Sequence, residues 1–364
     1  MRTSSHSESD VTRNPRIYLS PPDTGGLERD AVLRALESGW VAPVGPDLDG
    51  FEADLASLTG WPGVAAVSSG TAALHLALLV SGVQPGDDVL VSTFTFAASA
   101  NAVVHAGANP IFVDSDRETW NIDPTLLADV LEQRRRAGRL PKAVLVTDLY
   151  GQCADYDAIV PLCRELGVSL VEDAAEAVGS TSRGRAAGTL ADIGIYSFNG
   201  NKIMTTSSGG AVLSPDPAVA DRVRYLATQA RQPVAHYEHT EVGYNYRLSN
   251  LLAALGRAQL ARLPDLTAAR RTVHDRYRER LSDVVELMPL ADDQHWNGWL
   301  TCIITPSAAA RDGALAVLAA ENVEGRPLWK PMHQQPVYAG NECYVTGVSD
   351  DLFARGLCLP SGST

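Results

Sequence analysis

Apolar and polar positions follow a regular order over the first two-thirds of the chain. Short, continuous apolar runs are each followed by a longer stretch in which apolar residues recur every three or four positions. Runs of the first kind are typical of buried strands, and stretches of the second kind are typical of amphipathic helices. The strand-like runs are "GVAAVS", "DDVLVS", "NPIFVDSD", "KAVLVTDLYG", "VSLVEDAAEA", "ADIGIYSF" and "GGAVLSP". This alternation predicts an α/β fold with a mostly parallel sheet that helices cover on both faces.

The pattern changes near Ser249. Two long helical stretches, "LSNLLAALGRAQLARL" and "LTAARRTVHDRYRERLSD", are followed by short strand-like runs such as "WLTCIITP". A chain of 364 residues also exceeds the usual size of a single core. We therefore predict a polar, disordered N-terminus over residues 1–15 and a large domain over residues 16–250. A linker helix and a smaller α+β domain are predicted for residues 251–364.

The composition limits the class of function. The formal net charge is −13, which argues against nonspecific binding to nucleic acid or to an anionic membrane. No apolar run approaches the roughly 20 residues that a membrane-spanning helix needs. The five cysteines include no CxxC pair and the N-terminus has no apolar signal segment, so we expect a cytoplasmic protein. His236 and His239 form an HxxH pair without a nearby cluster of acidic or cysteine residues, and we expect no metal site there.

One polar feature that follows a predicted strand is the segment 68–71 in "VSSGTAAL". Free backbone N–H groups at a helix N-terminus, with hydroxyl side chains beside them, suit a phosphate group. Taken alone, the segment is explained more simply as an ordinary helix cap, because serine and threonine are favoured there.

Two more features stand at strand ends. Asp173 closes the run "VSLVED", where its carboxylate would either face a ligand, such as a pyridinium nitrogen, or cap the next turn. Lys202 lies in "YSFNGNKIMTTSSGG", where it would either be a solvated lysine or an amine prepared for covalent chemistry. Together the three features provide a phosphate cup, a carboxylate and a lysine at one edge of the sheet. Neither a GxGxxG fingerprint nor a P-loop is present, which disfavours nucleotide-cofactor functions.

Six linked segments resemble the DegT/DnrJ/EryC1/StrS family. They are "SSGTAALHLAL", "PGDDVLVSTFTFAASANAV", "GANPIFVDSD", "VEDAAEAVGS", "SFNGNKIMTTSSGG" and "GYNYRLSNLLAALGRAQL". Members of this family are pyridoxal 5′-phosphate (PLP) dependent aminotransferases that act on keto sugars. The resemblance implies PLP fold type I, with a seven-stranded-type, mostly parallel sheet in a large PLP-binding domain and a smaller C-terminal α+β domain.

The resemblance also implies roles for particular residues. Lys202 would be the catalytic lysine that forms an imine with PLP and carries protons to and from the substrate carbon. Asp173 would pair with the ring nitrogen, Phe96 would stack on the ring, and Glu176 would lie near the phenolic oxygen. The implied phosphate-binding residues are Ser69, Gly70, Thr71, Ser197 and, from the partner subunit of a homodimer with shared sites, Asn245.

The implied substrate is a nucleotide-linked keto sugar, with glutamate as the amino donor. The segment "EGRPLWKPMHQQPVY" is similar to one found in enzymes that act on UDP-linked 4-keto-6-deoxy sugars, which makes Lys330 and His333 candidate substrate residues. Lys330 by itself is equally well explained as part of a proline-rich loop. By the same resemblance, the loop "GWVAPVGP" with Trp40 would close over the substrate. We therefore expect amination at C4, with amination at C3 or of a keto-cyclitol as the alternative.

Two other functions are disfavoured. A PLP-dependent sugar dehydratase is disfavoured because such relatives have histidine in place of Lys202. A catalytically silent regulator would carry a DNA-binding domain or lack the lysine.

The chain departs from the family pattern at three places. Glu176 stands where many relatives have glutamine or histidine, and an acid beside a phenolate is unfavourable unless it is protonated or turned away. Ser207 and Ser208 replace a common Gly-Glu pair. The sequence ends at "LPSGST", where relatives often continue into a final helix.

Overall fold

The computed structural model describes residues 15–363. The disordered N-terminus predicted for residues 1–15 therefore lies almost wholly outside the described residues. The strands are β1 (Gly63–Val67), β2 (Asp88–Ser92), β3 (Asn109–Val113), β4 (Ala143–Thr147), β5 (Ser169–Asp173), β6 (Thr181–Ser182), β7 (Arg185–Ala186), β8 (Ile193–Ser197), β9 (Gly210–Ser214), β10 (Glu286–Leu287), β11 (Gln294–His295), β12 (Thr301–Ile304), β13 (Arg326–Pro327), β14 (Cys343–Tyr344) and β15 (Gly356–Leu359).

The helices connect these strands and cover the central sheet. They are α1 (Gly26–Ser38), α2 (Pro46–Thr59), α3 (Gly70–Val80), α4 (Ala97–His105), α5 (Pro124–Arg136), α6 (Tyr156–Leu166), α7 (Pro217–Ala227), α8 (Asn250–Leu281), α9 (Ala308–Ala320) and α10 (Val348–Arg355). Three 3₁₀ turns lie at Leu149–Gly151, Met332–Gln334 and Pro336–Tyr338. Helix α7 is an addition to the predicted elements.

The central sheet has eight strands in the order β1-β9-β8-β5-β4-β2-β3-β14. All pairs are parallel except those of β9, which runs antiparallel to both β1 and β8. The predicted mostly parallel α/β sheet is thus confirmed. The prediction of seven strands was one short, because β14 comes from the C-terminal part and pairs with β3 through Cys343 and Tyr344. A strand of two residues has no detectable periodicity.

Alternate residues of each buried strand face opposite layers, as the pleat of a strand requires. Val64 and Ala66 pack toward the layer that includes α2, α5, α6 and α8, whereas Ala65 and Val67 pack toward α3, α4 and α7. Both faces of the sheet are therefore apolar, which explains why its strands are continuous apolar runs.

Helix α8 differs from the prediction of two separate helices. It is continuous over 32 residues although Pro264 lies inside it. Proline removes one backbone donor and normally ends or kinks a helix. Leu263 and Leu266, on either side, are buried against the central sheet, and this packing accounts for the continuity.

The C-terminal part forms a second sheet in the order β10-β12-β15-β13. An aromatic and aliphatic cluster joins it to the carboxyl edge of the central sheet, and this cluster includes Phe94, Tyr150, Trp299 and Leu328. A third, three-stranded sheet also crosses between the two parts, because β11 pairs with β6. The boundary predicted at residue 250 coincides with the start of α8, and the division into two domains stays a prediction.

Candidate active site

A cavity of about 280 Å³ opens where the carboxyl ends of β1, β5 and β8 meet. Its position follows from the sheet, because loops at the carboxyl ends of parallel strands leave a crevice between them. The lining residues are Ser69, Gly70, Thr71, Leu74, Thr95, Phe96, Ala98, Ser99, Thr147, Asp173, Ala175, Glu176, Ser197, Asn199, Asn201, Lys202, Ser208, Gly209, Trp299 and Trp329.

One wall of the cavity is the N-terminus of α3. Ser69 is the N-cap, and its Oγ accepts a hydrogen bond from the Ala72 N–H at 3.0 Å. Gly70 lies directly against Ser197, because a Cβ atom at Gly70 would be 2.8 Å from the Ser197 Cβ and 2.9 Å from its Oγ. This close approach brings hydroxyl groups and the first N–H groups of the helix together, which is an arrangement suited to a phosphate.

Asp173 is the buried carboxylate at the end of β5. Its Oδ2 accepts a hydrogen bond from the Ser99 hydroxyl at 2.6 Å, and its Oδ1 accepts one from the Ala175 N–H at 3.2 Å. Thr95 links Ser99 to Thr147 through hydroxyl contacts of 2.8 and 2.9 Å. Burial raises the pKa of Asp173, while Ser99, Ala175 and the charge of Lys202 act in the opposite direction. The hydroxyl network fixes the carboxylate, which is then available to hold a cationic group in the cavity.

Lys202 enters the cavity from the polar segment after β8. Its Nζ lies 3.6 Å from Oε1 of Glu176 and 4.2 Å from the centre of the Trp299 ring. Only 11% of the Lys202 side chain is exposed. The amine is therefore shielded from bulk water, and it lies beside a carboxylate and against an aromatic face.

Both carboxylate oxygens of Glu176 have neighbours within the chain. Its Oε2 accepts the Tyr150 N–H at 2.7 Å, and Oε1 faces Lys202. Burial raises the pKa of Glu176, and the Lys202 charge counteracts this shift. Both carboxylate oxygens thus face a donor or a cation of this chain, and the role of Glu176 beside the cofactor's phenolic oxygen stays a prediction.

The rim of the cavity is aromatic. Phe96 precedes α4, is 55% exposed and contacts Trp329 edge to face, with ring centres 5.7 Å apart. Asn297 fixes the position of the deeper tryptophan, because its Oδ1 accepts the Trp299 N–H at 3.0 Å while its Nδ2 donates to the Glu176 carbonyl at 2.8 Å. Flat, apolar surfaces thus enclose the space beside Lys202.

The other predicted site residues do not line this cavity. Asn245 is exposed and forms a β-bridge with Thr228. Trp40 is 47% exposed, and its carbonyl accepts the Asn250 side chain. Lys330 is half-buried and follows Trp329 in the chain.

His333 is fixed by its neighbours. Its Nδ1 lies 2.7 Å from the Thr93 hydroxyl, and its Nε2 lies 2.8 Å from Asp350. Both ring nitrogens are therefore engaged within this chain. The roles proposed for Asn245, Trp40, Lys330 and His333 stay predictions.

Several lining residues were not predicted from the sequence. The hydroxyl residues Thr95, Ser99 and Thr147 follow or precede strand ends, and their position after "VLVS" and in "VLVTD" is the available signal. Trp299 carries no local signal, whereas Trp329 lies in "EGRPLWKPMHQQPVY", the segment that pointed to Lys330 and His333.

The serine pair that departs from the family pattern lies in a tight turn before β9. Ser207 has a φ of 71°, in the left-handed region that favours glycine. The Ser208 hydroxyl donates a hydrogen bond to the Ser68 carbonyl at 2.7 Å. The first serine therefore stands at a position where glycine is more favourable, and the second fastens the turn to the phosphate cup.

Neither metal ligation nor membrane insertion is indicated within residues 15–363. No group of three or more histidine, cysteine and acidic side chains is arranged there to hold a metal ion. His239 instead contacts the Gln229 carbonyl at 2.8 Å. Across the same residues, no helix combines the length and the apolar character that spanning a bilayer requires.

The chain is similar to known proteins over most of its length. The model of the DegT/DnrJ/EryC1/StrS aminotransferase family matches residues 22–364. The Bacillus subtilis (strain 168) protein EpsN is 48% identical over 96% of this chain and 91% of its own length. The dTDP-4-dehydro-2,3,6-trideoxy-D-glucose 4-aminotransferase of Saccharopolyspora spinosa is 33% identical over 94% of this chain and 91% of its own.

A solved structure extends the likeness to the fold and the cofactor. The PLP-form of Spr1654 from Streptococcus pneumoniae matches with a TM-score of 0.88 and 26% identity, and covers 95% of this chain and 94% of its own. The fold inferred from the sequence is confirmed by this match.

Proposed function

Because this chain belongs to the DegT/DnrJ/EryC1/StrS aminotransferase family, we propose that it moves an amino group from glutamate to the C4 ketone of a nucleotide-linked 4-keto-6-deoxyhexose. The family uses PLP, so the predicted cofactor is confirmed, and sugar aminotransferases are prominent among the relatives. The observation that carries the proposal is the meeting of Lys202, Asp173 and the N-terminus of α3 in one shielded cavity.

The residues of the cavity fit PLP. The cup at Ser69, Gly70, Thr71 and Ser197 supplies hydroxyl and N–H donors for a phosphate dianion. Asp173, with its oxygens fixed by Ser99 and Ala175, is suited to hold a protonated ring nitrogen.

The rest of the cavity fits the ring. Phe96 is an exposed aromatic side chain at the rim and offers a flat face for stacking. Lys202 supplies the amine that the cofactor's aldehyde requires.

When bound, the cofactor supplies the amine carrier and stabilises negative charge at the reacting carbon. The protein contributes the proton transfers, for which Lys202 Nζ is the mobile base and acid. Glu176 Oε1 faces this amine at 3.6 Å, and Asp173 would stabilise positive charge on the ring nitrogen. Trp299 and Trp329 exclude water from the reacting carbon.

The sugar specificity rests on the relatives and on the similarity of "EGRPLWKPMHQQPVY" to enzymes that act on UDP-linked sugars. The named 4-aminotransferase supports attack at C4, although its substrate is linked to dTDP. We propose UDP as the nucleotide, with Lys330, His333 and Trp40 as substrate contacts. We further propose a homodimer in which Asn245 of each subunit completes the phosphate site of the other, because Asn245 is exposed and lies outside its own cavity.

The decisive experiment is a panel of UDP-, dTDP- and GDP-linked 4-keto and 3-keto sugars with glutamate as donor, with the products identified by mass. Aminated 4-keto sugars are expected. Lys202→Ala should abolish turnover and the visible absorbance of the PLP-loaded protein. Lys142→Ala, which removes a lysine outside the cavity, should retain both. Turnover by Lys202→Ala, or the absence of product from every sugar with the wild type, would refute the proposal.

A further inference from the structure

A second opening adjoins the cofactor cavity. It is a groove of about 430 Å³ between the N-terminal segment and the C-terminal part. Its lining residues are Tyr18, Leu19, Ser20, Pro21, Pro22, Asn201, Leu300, Glu324, Arg326 and Trp329. Asn201 and Trp329 line both the groove and the cavity, so the two spaces adjoin each other across these residues. We call this space the N-terminal groove.

The outer wall of the N-terminal groove is held in a fixed position. Ile17 forms a parallel bridge with Val323, and the Leu19 N–H donates to Oε2 of Glu324 at 3.0 Å. The Leu19 carbonyl in turn accepts the Ser361 N–H at 2.8 Å. The segment therefore lines the groove as a built wall, joined by backbone hydrogen bonds to two different parts of the C-terminal region.

The floor of the groove includes the residue that precedes the reactive lysine. The Asn201 carbonyl accepts hydrogen bonds from the Ser20 hydroxyl at 2.8 Å and from Trp299 Nε1 at 2.7 Å. Arg270, which is buried, donates to Ser20 at 2.9 Å. Because Asn201 immediately precedes Lys202, this floor lies next to the residue that carries the reactive amine.

The groove presents a cation and exposed aromatic surface. The Arg326 side chain is 63% exposed and uses Nε and Nη2 on Oε1 of Glu324. The guanidinium has five N–H donors, which one carboxylate oxygen does not satisfy, so it retains donors for an anionic ligand. Tyr18 is 54% exposed, and the Arg16 guanidinium lies 5.4 Å from the centre of its ring. With Arg16 and Arg326 against Glu324, the mouth of the groove carries a net positive charge.

We propose that the N-terminal groove binds the nucleoside diphosphate part of the amino acceptor, with Arg326 at the diphosphate and Tyr18 at the nucleoside. This inference rests on the proposed function. The ketone of the acceptor must lie at Lys202, and the cofactor fills much of a cavity of only about 280 Å³. The rest of a nucleotide-linked sugar must therefore extend out of the cavity, and the adjoining groove with its guanidinium is suited to receive it. Glutamate is short enough to bind within the cavity mouth.

The first test compares Arg326→Gln with Arg280→Gln in the PLP-loaded enzyme. Arg280 is exposed near the end of α8, so its loss changes the net charge equally without affecting the groove. Binding of UDP, dTDP and GDP would be measured by calorimetry, together with the KM for the sugar nucleotide and for glutamate. For Arg326→Gln we expect roughly tenfold to hundredfold weaker binding of the preferred nucleoside diphosphate and a similar rise in its sugar's KM, as for the loss of one charge-assisted contact. The KM for glutamate should stay unchanged, and Arg280→Gln should resemble the wild type.

A second variant is needed to distinguish a binding defect from a folding defect, because Arg326 also contacts Glu324, which accepts the Leu19 N–H. Tyr18→Ala should raise the same KM while leaving the visible spectrum and the glutamate reaction intact. The inference is refuted if both variants keep normal affinity for nucleoside diphosphates and sugar nucleotide, or if Arg326→Gln raises the KM for glutamate alone. If the wild type nevertheless aminates a sugar nucleotide, only this inference is refuted and the proposed function is retained. A wild type that binds none of the three diphosphates and aminates no sugar overturns both.

Discussion

The Nζ atom of Lys202 lies 3.6 Å from Oε1 of Glu176, in a part of the molecule where the Glu176 side chain is only 2% exposed. Asp173 is buried in the same cavity. The cavity thus contains one cation and two carboxyl groups, and burial raises the pKa of both acids while Lys202 opposes the rise. The lysine therefore stabilises the folded chain electrostatically before any cofactor binds.

Lys202→Gln should destabilise the cofactor-free protein more at about pH 7.5 than at about pH 5. A carboxyl whose folded pKa is raised binds more protons in the folded state, so stability falls as pH rises above its ordinary pKa, which is 4.5 for Glu176. Without Lys202 the pKa of Glu176 rises further, and stability decreases more as the pH rises. We expect an additional loss of about 1–3 kcal/mol at the higher pH, measured by urea unfolding. The double variant Lys202→Gln/Glu176→Gln should recover much of it, and an equal loss at both pH values would contradict the pairing.

Asp173→Asn should weaken PLP binding and, in the cofactor-free protein, reduce the loss of stability with rising pH. Asparagine keeps an acceptor for the Ser99 hydroxyl but carries no charge, so the cofactor-free variant should lose less stability than the wild type as pH rises above about 4. Its affinity for PLP should fall by tenfold or more, because a cationic ring nitrogen loses its carboxylate. Unfolding curves at several pH values and titration with PLP measure the two effects. A variant with unchanged PLP affinity would show that Asp173 does not face the ring.

The sequence predicted the central sheet well because its strands are buried on both faces and therefore form continuous apolar runs. The residues of the cavity at Ser69, Asp173 and Lys202 could be placed because each follows such a run, and parallel strands bring their carboxyl ends to one edge. The family resemblance then gave each of them an expected role.

The features that were not predicted from the sequence depend on contacts between distant parts of the chain. Trp299 and Trp329 line the cavity because the C-terminal sheet packs against the carboxyl edge of the central sheet, and no local periodicity records this. Similarly, β14 joins the central sheet although its two residues have no strand signal. Helix α8 passes through Pro264 because of tertiary packing, which local propensity does not include.

Gly70→Ala should weaken PLP binding. The new Cβ would be 2.8 Å from the Ser197 Cβ, so either α3 or the end of β8 must shift and the phosphate cup must change shape. We expect a tenfold or greater loss of PLP affinity and a loss of about 1–3 kcal/mol in unfolding free energy. Gly26→Ala is the matched control, because a Cβ there meets no atom within 4 Å. Equal PLP affinity in the two variants would exclude the tight contact.

Ser207 and Ser208 replace a common Gly-Glu pair, and substituting glycine for each of them should affect stability differently. Ser207 has a φ of 71°, its N–H donates to Thr205 Oγ1, and glycine preserves that bond while removing the strain of a left-handed side-chain residue. Since glycine also loses more backbone entropy, Ser207→Gly should be between neutral and about 1 kcal/mol more stable than the wild type. Ser208→Gly loses the hydrogen bond to the Ser68 carbonyl and should be about 0.5–1.5 kcal/mol less stable. Urea unfolding of both cofactor-free variants measures the difference, and a Ser207→Gly variant less stable than Ser208→Gly would contradict this account of the turn.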